Sequence, residues 1–369
     1  MFRSVKQHSP IAVDLGTASL HVVQLDRQGG KLALQRWCEL PVKPAPGGDP
    51  PAGDGAAAMP RWPAIDRTRF QGNEVVVSLA PPDIECAPLR VPENLLQFEH
   101  DQLLAAIQHE VGRHISHPVE SVEMDVWRLV PGHLDAPNLM VAAARREVIL
   151  GVLAWLNEQG LTCRRIDVGP LAAMRACSRL TNRPAPEQLW GVLDVGKAAV
   201  RLYIGIDEVP VYVRCIPKGG DEMTRRISEE LGVEFGIAES YKRHYGIHGT
   251  DGHYRSGLPI SDAVDSRRMA GILLGALRPT IRSLAEEIQR SFRYAMGLYP
   301  DRPIAGLWVI GGGADLAGFP DVLGDMLGVV IHKVTPDLLP GDWVVPSGRW
   351  ESAVSRVVNS LGACLGEMN

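Results

Sequence analysis

Runs of apolar residues in this chain break at glycine-flanked polar points, and the same break occurs twice. Ile11-Ala12-Val13 leads into Asp14-Leu15-Gly16-Thr17-Ala18-Ser19 and on to His21-Val22-Val23-Gln24-Leu25. Val192-Leu193 leads into Asp194-Val195-Gly196-Lys197-Ala198-Ala199 and on to Val200-Arg201-Leu202-Tyr203-Ile204. A short apolar run bounded by turn residues reads as a buried strand, and aspartate and glycine are turn residues. Each stretch therefore predicts a β-hairpin with Asp-x-Gly at its tip. A third apolar strand ends at Val309-Ile310 and runs into Gly311-Gly312-Gly313-Ala314.

Other elements follow from the same patterning. Leu32 to Leu40 predicts a third strand beside the first hairpin, and Val75 to Leu79 a buried strand. Between them Pro41 to Arg69 is crowded with Pro, Gly and Ala, with seven prolines up to Pro63, so it predicts a loop or a disordered excursion. From Ile84 the pattern predicts strand, helix, strand, strand, helix, strand. The helices carry Leu103, Leu104, Ile107, Val111 and Ile115, and then Val148, Ile149, Val152, Leu153 and Leu156; the last strand is Cys163 to Val168. This is a compact α+β insert of about 80 residues.

Further on, Asp221 to Leu231 carries Met223, Ile227 and Leu231 on one stripe and stops at Gly232. Ile237 to Arg243 continues as helix, with Glu239 and Lys242 on one face. Arg267 to Met296 predicts a long core-facing helix through Met269, Leu273, Leu277, Ile281, Leu284, Ile288 and Phe292. A helix around Asp321 to Leu327, a strand at Val329 to Ile331, and a closing helix on Ala353, Val357, Leu361 and Leu365 complete the chain. The closing helix is expected to return toward the first half.

Composition narrows the class. The 369 residues suffice for two or three domains, and 45% apolar with 22% charged residues is a globular mix. A net charge of −5 and the lack of a Lys/Arg run argue against nucleic acid. Six scattered cysteines without Cys-x-x-Cys spacing argue against zinc and for buried thiols in a reducing compartment. No apolar run approaches the ~20 residues that span a bilayer, and no apolar core follows the charges of the first residues as in a signal peptide. The expectation is a cytoplasmic protein that reaches a membrane only through a partner.

The candidate chemistry lies at the three glycine-flanked points. Glycine lets backbone N–H groups approach phosphate oxygens, and aspartate holds a divalent cation through water, because Mg²⁺ keeps part of its hydration shell. Two such hairpins could close on a polyphosphate from opposite sides. The candidate nucleotide-binding residues are Asp14, Gly16, Thr17 and Ala18 on the first tip, and Asp194, Gly196, Lys197 and Ala198 on the second. Gly311, Gly312 and Gly313 suit close approach by a nucleoside. Asp14 and Asp194 are the water-mediated metal ligands. Lys197 either adds positive charge for phosphate or is an exposed turn lysine. Glu239 and Lys242 read either as part of a site or as an ion pair on a solvated face. No Ser/His/Asp arrangement, metal-ligand cluster or Walker lysine occurs, and His100, His109, His114 and His117 read as surface histidines.

The order and spacing of the three points resemble the actin, Hsp70 and sugar kinase superfamily, where they form two phosphate loops and an adenosine loop. In the Hsp70-like branch a Glu-x-x-Lys-Arg helix brackets the adenosine, which would assign Glu239, Lys242 and Arg243. The insert narrows the resemblance to the FtsA/PilM branch, which carries such a module as subdomain 1C. Val77-Ser78-Leu79, His109 to Glu120, Lys218-Gly219-Gly220-Asp221 and Tyr241-Lys242-Arg243-His244-Tyr245-Gly246 resemble the type IV pilus assembly PilM family. The likeness runs from about residue 10 to the C-terminus without Pro41 to Arg69, and adds Gly219 and Gly220 to the site.

The resemblance implies a two-lobed actin-like α/β fold. Residues 1–180 would form lobe 1 with the insert over about 84–162 and the Pro-rich loop at 41–69. Residues 181–345 would form lobe 2, and 346–369 a closing helix on lobe 1. It also implies ATP or ADP with Mg²⁺ between the lobes, and recruitment to the cytoplasmic face of the inner membrane. The implied partner is the N-terminal peptide of a PilN-like protein, docked by subdomain 1C, with other platform proteins or motor ATPases as further partners. The rival readings are an FtsA-like polymerising ATPase and a nucleotide-free scaffold; a metabolic kinase has no support in the sequence. Three departures point to weak or absent hydrolysis. His21 stands where the superfamily often has a lysine, and reads as a neutral imidazole on a sheet surface. Gly169 stands where PilM relatives commonly have an acidic residue, with Asp167 turned toward the other strand face or into the turn. The Pro-rich stretch replaces a helix.

Overall fold

The computed structural model describes residues 7–28, 31–42, 62–180, 185–248, 260–335, 343 and 353–368. Most of the Pro-rich stretch expected as a loop lies outside the described residues. Lobe 1 begins with β1 (Gln7–His8), β2 (Ile11–Leu15), β3 (Ser19–Gln28), β4 (Lys31–Pro41) and β5 (Glu74–Leu79). β2 and β3 form the first expected hairpin, with Asp14 opposite His21. β4 extends it on the β3 side, and β5 pairs parallel to β2 on the other. Ile11–Val13 of β2 and Val75–Val77 of β5 are buried apolar runs because helices cover both faces of this sheet.

The insert differs from its expected extent. Its own sheet has three strands, β6 (Ile84–Leu89), β7 (Val122–Arg128) and β8 (Leu139–Arg145), in the order β6-β8-β7. One helix, α1 (His100–Val111), covers it through Leu103, Ile107 and Val111. The second expected helix, α2 (Arg146–Glu158), puts Val148, Val152 and Leu156 on Ile11, Val13, Val75 and Val77 of lobe 1. The last expected strand, β9 (Thr162–Val168), pairs parallel to β5. The physical reason is the crossover. A strand parallel to β5 requires a long connection over the sheet; α2 supplies it, and β6-α1-β7-β8 is inserted into it. The module, carried by lobe 1, also touches lobe 2. Trp127 Nε1 donates to the Pro210 carbonyl at 3.1 Å, and His133 N to the Leu298 carbonyl at 2.8 Å.

α3 (Gly169–Leu180) leads to lobe 2. Its strands are β10 (Leu189–Val195), β11 (Val200–Ile206) and β12 (Val209–Ile216). The helices α4 (Gly220–Leu231), α5 (Phe235–Tyr245) and α6 (Ile260–Leu298) follow. β13 (Ile304–Ile310), α7 (Phe319–Leu327), β14 (Ile331–Lys333) and α8 (Val358–Gly366) complete it. The sheet order β12-β11-β10-β13-β14 repeats β4-β3-β2-β5-β9 of lobe 1: three antiparallel strands, then two parallel ones. β14 begins two residues later than the apolar run suggested, because Val329 and Val330 form the approach to it.

α8 packs on α3 and over β2, β3 and β5. A Cβ at Gly362 would lie 1.9 Å from the Ala172 carbonyl, so only glycine permits this approach. One shared core joins Ala12 and Val23 of lobe 1 to Trp190, Val192, Tyr203 and Ile310 of lobe 2, with Val358 and Leu361 between them.

Candidate nucleotide-binding cleft

The two hairpin tips converge on one residue of α8. Asn359 Nδ2 donates to Asp14 Oδ2 at 3.5 Å and to Asp194 Oδ2 at 3.3 Å. All three side chains are buried. The two aspartates, remote in sequence, are thus held within reach of one amide.

Each aspartate also has a cation directly across its hairpin. His21 Nδ1 lies 3.5 Å from Asp14 Oδ2, and Arg201 Nη1 lies 3.3 Å from Asp194 Oδ2. Both cations stand seven positions after their aspartate, the spacing that makes them register partners across a tight turn. Arg201 Nε donates in addition to the Pro81 carbonyl of lobe 1.

His21 corrects the expectation of a neutral imidazole on a sheet surface. Its side chain is 12% exposed. Burial alone would lower its pKa, but hydrogen bonding and charge from Asp14 and Glu39 outweigh this and raise it to about 9. The cleft therefore carries an imidazolium at neutral pH. Glu39 is held at about 2 chiefly by His21, against burial and with help from Arg356. Arg356 Nη1 meets Glu39 at 2.6 Å and its Nε meets Asp315 at 3.3 Å, tying β4 to the turn after β13.

Asp194 is pushed above the usual carboxylate range by burial and by the Asp14 charge, which Arg201 only partly offsets. A site that concentrates two buried carboxylates favours an added cation. No cluster of three or more His, Cys, Asp or Glu side chains forms a cage among the described residues. Asp14 and Asp194 are hard carboxylate oxygen donors, the donor type that suits a Mg²⁺ ion keeping its own water.

The other candidates divide. Thr17, Ala18, Lys197 and Ala198 lie exposed at the tips beside Gly16 and Gly196. Gly311, at φ +83°, would place a Cβ 2.5 Å from Asp194 Oδ1, so the glycine triplet is seated on the second tip and Gly312 beside it is open. Gly219 and Gly220 brace that tip instead of opening toward the cleft. Gly220 N donates to the Gly196 carbonyl, and a Cβ on Gly219 would strike the Lys197 carbonyl at 2.4 Å.

Glu239 and Lys242 do not form a solvated face. Lys242 is 8% exposed. Its Nζ donates to the Gly220 carbonyl at 2.8 Å, to Thr224 Oγ1 at 2.6 Å and to Glu239 Oε2 at 2.6 Å. Burial raises the Glu239 pKa, but hydrogen bonds from Lys242, Thr224 and Arg243 hold it at about 2. The pair locks α5 onto the first turn of α4. Arg243 is 78% exposed and bonds Glu239 from outside.

Asp167 is occupied. Its carboxylate meets Arg175 at 2.9 Å and Arg165 at 3.4 Å, and accepts from its neighbour Val168 N at 3.0 Å. A Cβ on Gly169 would lie 2.8 Å from the Leu79 carbonyl, so any side chain there requires the backbone to shift. Sequence reasoning missed Arg201 and Asn359. The seven-residue spacing that singled out His21 would have found Arg201; Asn359, beside Ser360 in an otherwise apolar helix, gave no signal.

The family model for type IV pilus assembly protein PilM matches residues 12–249. The chain belongs to this family. The matched span holds both hairpins and the Glu239–Lys242 pair; Gly311 to Gly313 and Asn359 lie beyond it. A solved PilM-PilN type IV pilus biogenesis complex contains a chain 23% identical, covering 98% of this chain and 99% of that one, with a TM-score of 0.73. More distant likenesses are the ethanolamine utilization protein EutJ from Carboxydothermus hydrogenoformans (16% identical, 97% and 89% covered, TM-score 0.46) and MreB5 of Spiroplasma citri bound to AMPPNP (14%, 97% and 95%, TM-score 0.48). The fold is the two-lobed actin-like α/β fold with a PilM-type insert. No described helix is long and apolar enough to cross a membrane.

Proposed function

We propose that this PilM-family chain binds ATP or ADP with Mg²⁺ between its two Asp-x-Gly hairpins and serves as the actin-like nucleotide-binding part of a type IV pilus assembly platform. The observation that carries the reading is the meeting of Asp14 and Asp194 at Asn359. Mg²⁺ supplies charge neutralisation for the phosphates when bound, and Asp14 and Asp194 would hold its waters. The exposed tip backbones of residues 17–18 and 197–198 offer N–H groups to phosphate oxygens, while the Gly16 and Gly196 N–H groups close their own turns on the Ser19 and Ala199 carbonyls. His21 and Arg201 keep the aspartates charge-balanced and fixed in rotamer. Gly311 and Gly313 seat the turn on the second tip, and Gly312 between them leaves room for the nucleoside.

Turnover on this reading is weak or absent. Gly169 has no group to polarise a water, and Asp167 is committed to Arg175. The nucleotide then acts as a structural or switching ligand. A second reading has its own support: His21, Arg201 and Asn359 already satisfy both aspartates, as a nucleotide-free scaffold would need.

The partner on this reading is the cytoplasmic N-terminal peptide of a PilN-like inner-membrane protein, by analogy with the solved PilM-PilN complex. Because the insert grows out of lobe 1 and contacts lobe 2 through Trp127 and His133, peptide binding there and lobe closure are coupled, by about 1–3 kcal/mol as is typical of allosteric pairs. Denaturing the purified protein and separating released nucleotide by chromatography tests the central reading. ATP or ADP near one per chain, depleted in Asp194→Ala, supports it. Nucleotide-free protein that also gives no heat on titration with Mg-ATP favours the scaffold.

A further inference from the structure

The exposed face of α6 carries a row of arginines that the fold does not use. Arg268, Arg278, Arg282 and Arg293 are all exposed, and none has an ion pair or hydrogen bond among the described residues. Several other exposed arginines are ion-paired: Arg225 with Glu222, Arg226 with Glu229, Arg243 with Glu239, Arg290 with Glu287. At about 100° per residue the four fall within an arc of about 80° and extend over about 38 Å of helix. Glu286 is the one carboxylate on the same arc. Arg278 and Arg282 are one turn apart, a like-charge spacing that works against the helix. The chain as a whole is net negative, so this stripe is a local reversal of its field.

The same face has an open depression where its small residues lie. Gly275, Arg278, Pro279, Arg282, Ser283 and Glu286 line a cleft of about 420 Å³ on α6. Gly271 and Gly275 leave open space where side chains would stand. A guanidinium fork matches a carboxylate in paired hydrogen bonds. We infer that the outer face of α6 is a docking surface for an acidic helical segment of a partner protein, with carboxylates one turn apart seated between Arg278 and Arg282. The glycines allow the partner backbone to come close. Arginines one turn apart match carboxylates at the same spacing on a facing helix, whereas lipid headgroups carry no such fixed spacing.

The test uses the full chain and a fluorescent alanine-based helical peptide with glutamate at every fourth position, followed by anisotropy. Wild type binds, and binding weakens as salt rises. Arg278→Glu/Arg282→Glu binds at least about tenfold more weakly and gains affinity for the same peptide with lysine in place of glutamate. The milder Arg278→Gln/Arg282→Gln loses affinity to an intermediate degree, and unchanged thermal melting shows that each variant is folded. Wild type that ignores the glutamate peptide, or a charge-reversed variant that binds it as well as wild type, overturns the proposal. So does sedimentation of wild type, but not of the variant, with phosphatidylglycerol–phosphatidylethanolamine vesicles in the absence of peptide binding, which would make the surface a lipid site.

Discussion

On the lobe 1 hairpin the residue across from the cleft aspartate is His21; on the lobe 2 hairpin it is Arg201. Backbone and register are the same, and the strand order around the two hairpins is the same. The cations differ in kind. Arg201 is charged at any accessible pH and reaches across to Pro81, so it joins the lobes directly. His21 is charged only because Asp14 and Glu39 hold its proton, and Glu39 in turn leans on Arg356. One tip has a fixed charge; the other has a charge sustained by its neighbours. Repeated architecture therefore does not imply repeated electrostatics.

Removing the fixed charge has the largest expected effect. Arg201→Met leaves Asp194 buried without its cation, and we expect a loss of about 3–5 kcal/mol in urea unfolding. A loss under about 1 kcal/mol would show that Asn359 alone satisfies Asp194. Lys242→Met comes next. It strips Glu239 and the Gly220 carbonyl of a buried donor, for about 1–3 kcal/mol, and it frees the first turn of α4 from α5. Hydrogen exchange of the Gly220 and Asp221 amides reads that release; unchanged protection would show that the lysine does not brace the second tip.

His21 gives a smaller effect with a pH signature. Its folded pKa of about 9 lies above the ordinary histidine value of 6.5. Its contribution is therefore fully present below pH 6.5 and is lost as pH rises through 9. Between these limits the nucleotide-free protein should lose about 1–3 kcal/mol more than His21→Gln does over the same range. Parallel profiles for the two proteins would contradict the imidazolium. Hydrolysis is the smallest signal expected: a steady rate far below the enzyme median of about 10 s⁻¹. Several turnovers per second, abolished by Asp194→Ala, would show that Gly169 and Asp167 have been misjudged.

These contrasts also mark how far the chain could be read without coordinates. The hairpins were legible because a strand, a turn and a strand are local, and Asp14, Gly16, Asp194 and Gly196 sit where turn chemistry requires them. The helix from α4 to Gly232 was legible for the same reason, with Gly232 at φ +63° as its cap. The end of the insert was not, because an apolar strand such as β9 does not state its pairing partner; the crossover over β5 decides it. The charge of His21 depends on Glu39 and Arg356, brought in by β4 and the turn before α8, so residue type alone suggested a neutral ring. Asn359 became visible only when α8 was laid between the lobes. The arginine face of α6 escaped because its charges recur at helical spacing, and no two of them are adjacent in sequence.

The claim that both tips act on one ligand is tested most directly by calorimetric titration of Mg-ATP into wild type, Asp14→Ala and Asp194→Ala. Saturable binding by wild type is expected, with a loss of about 1–3 kcal/mol in each variant, the range for removing a charged partner. Wild-type affinity in both variants would contradict it.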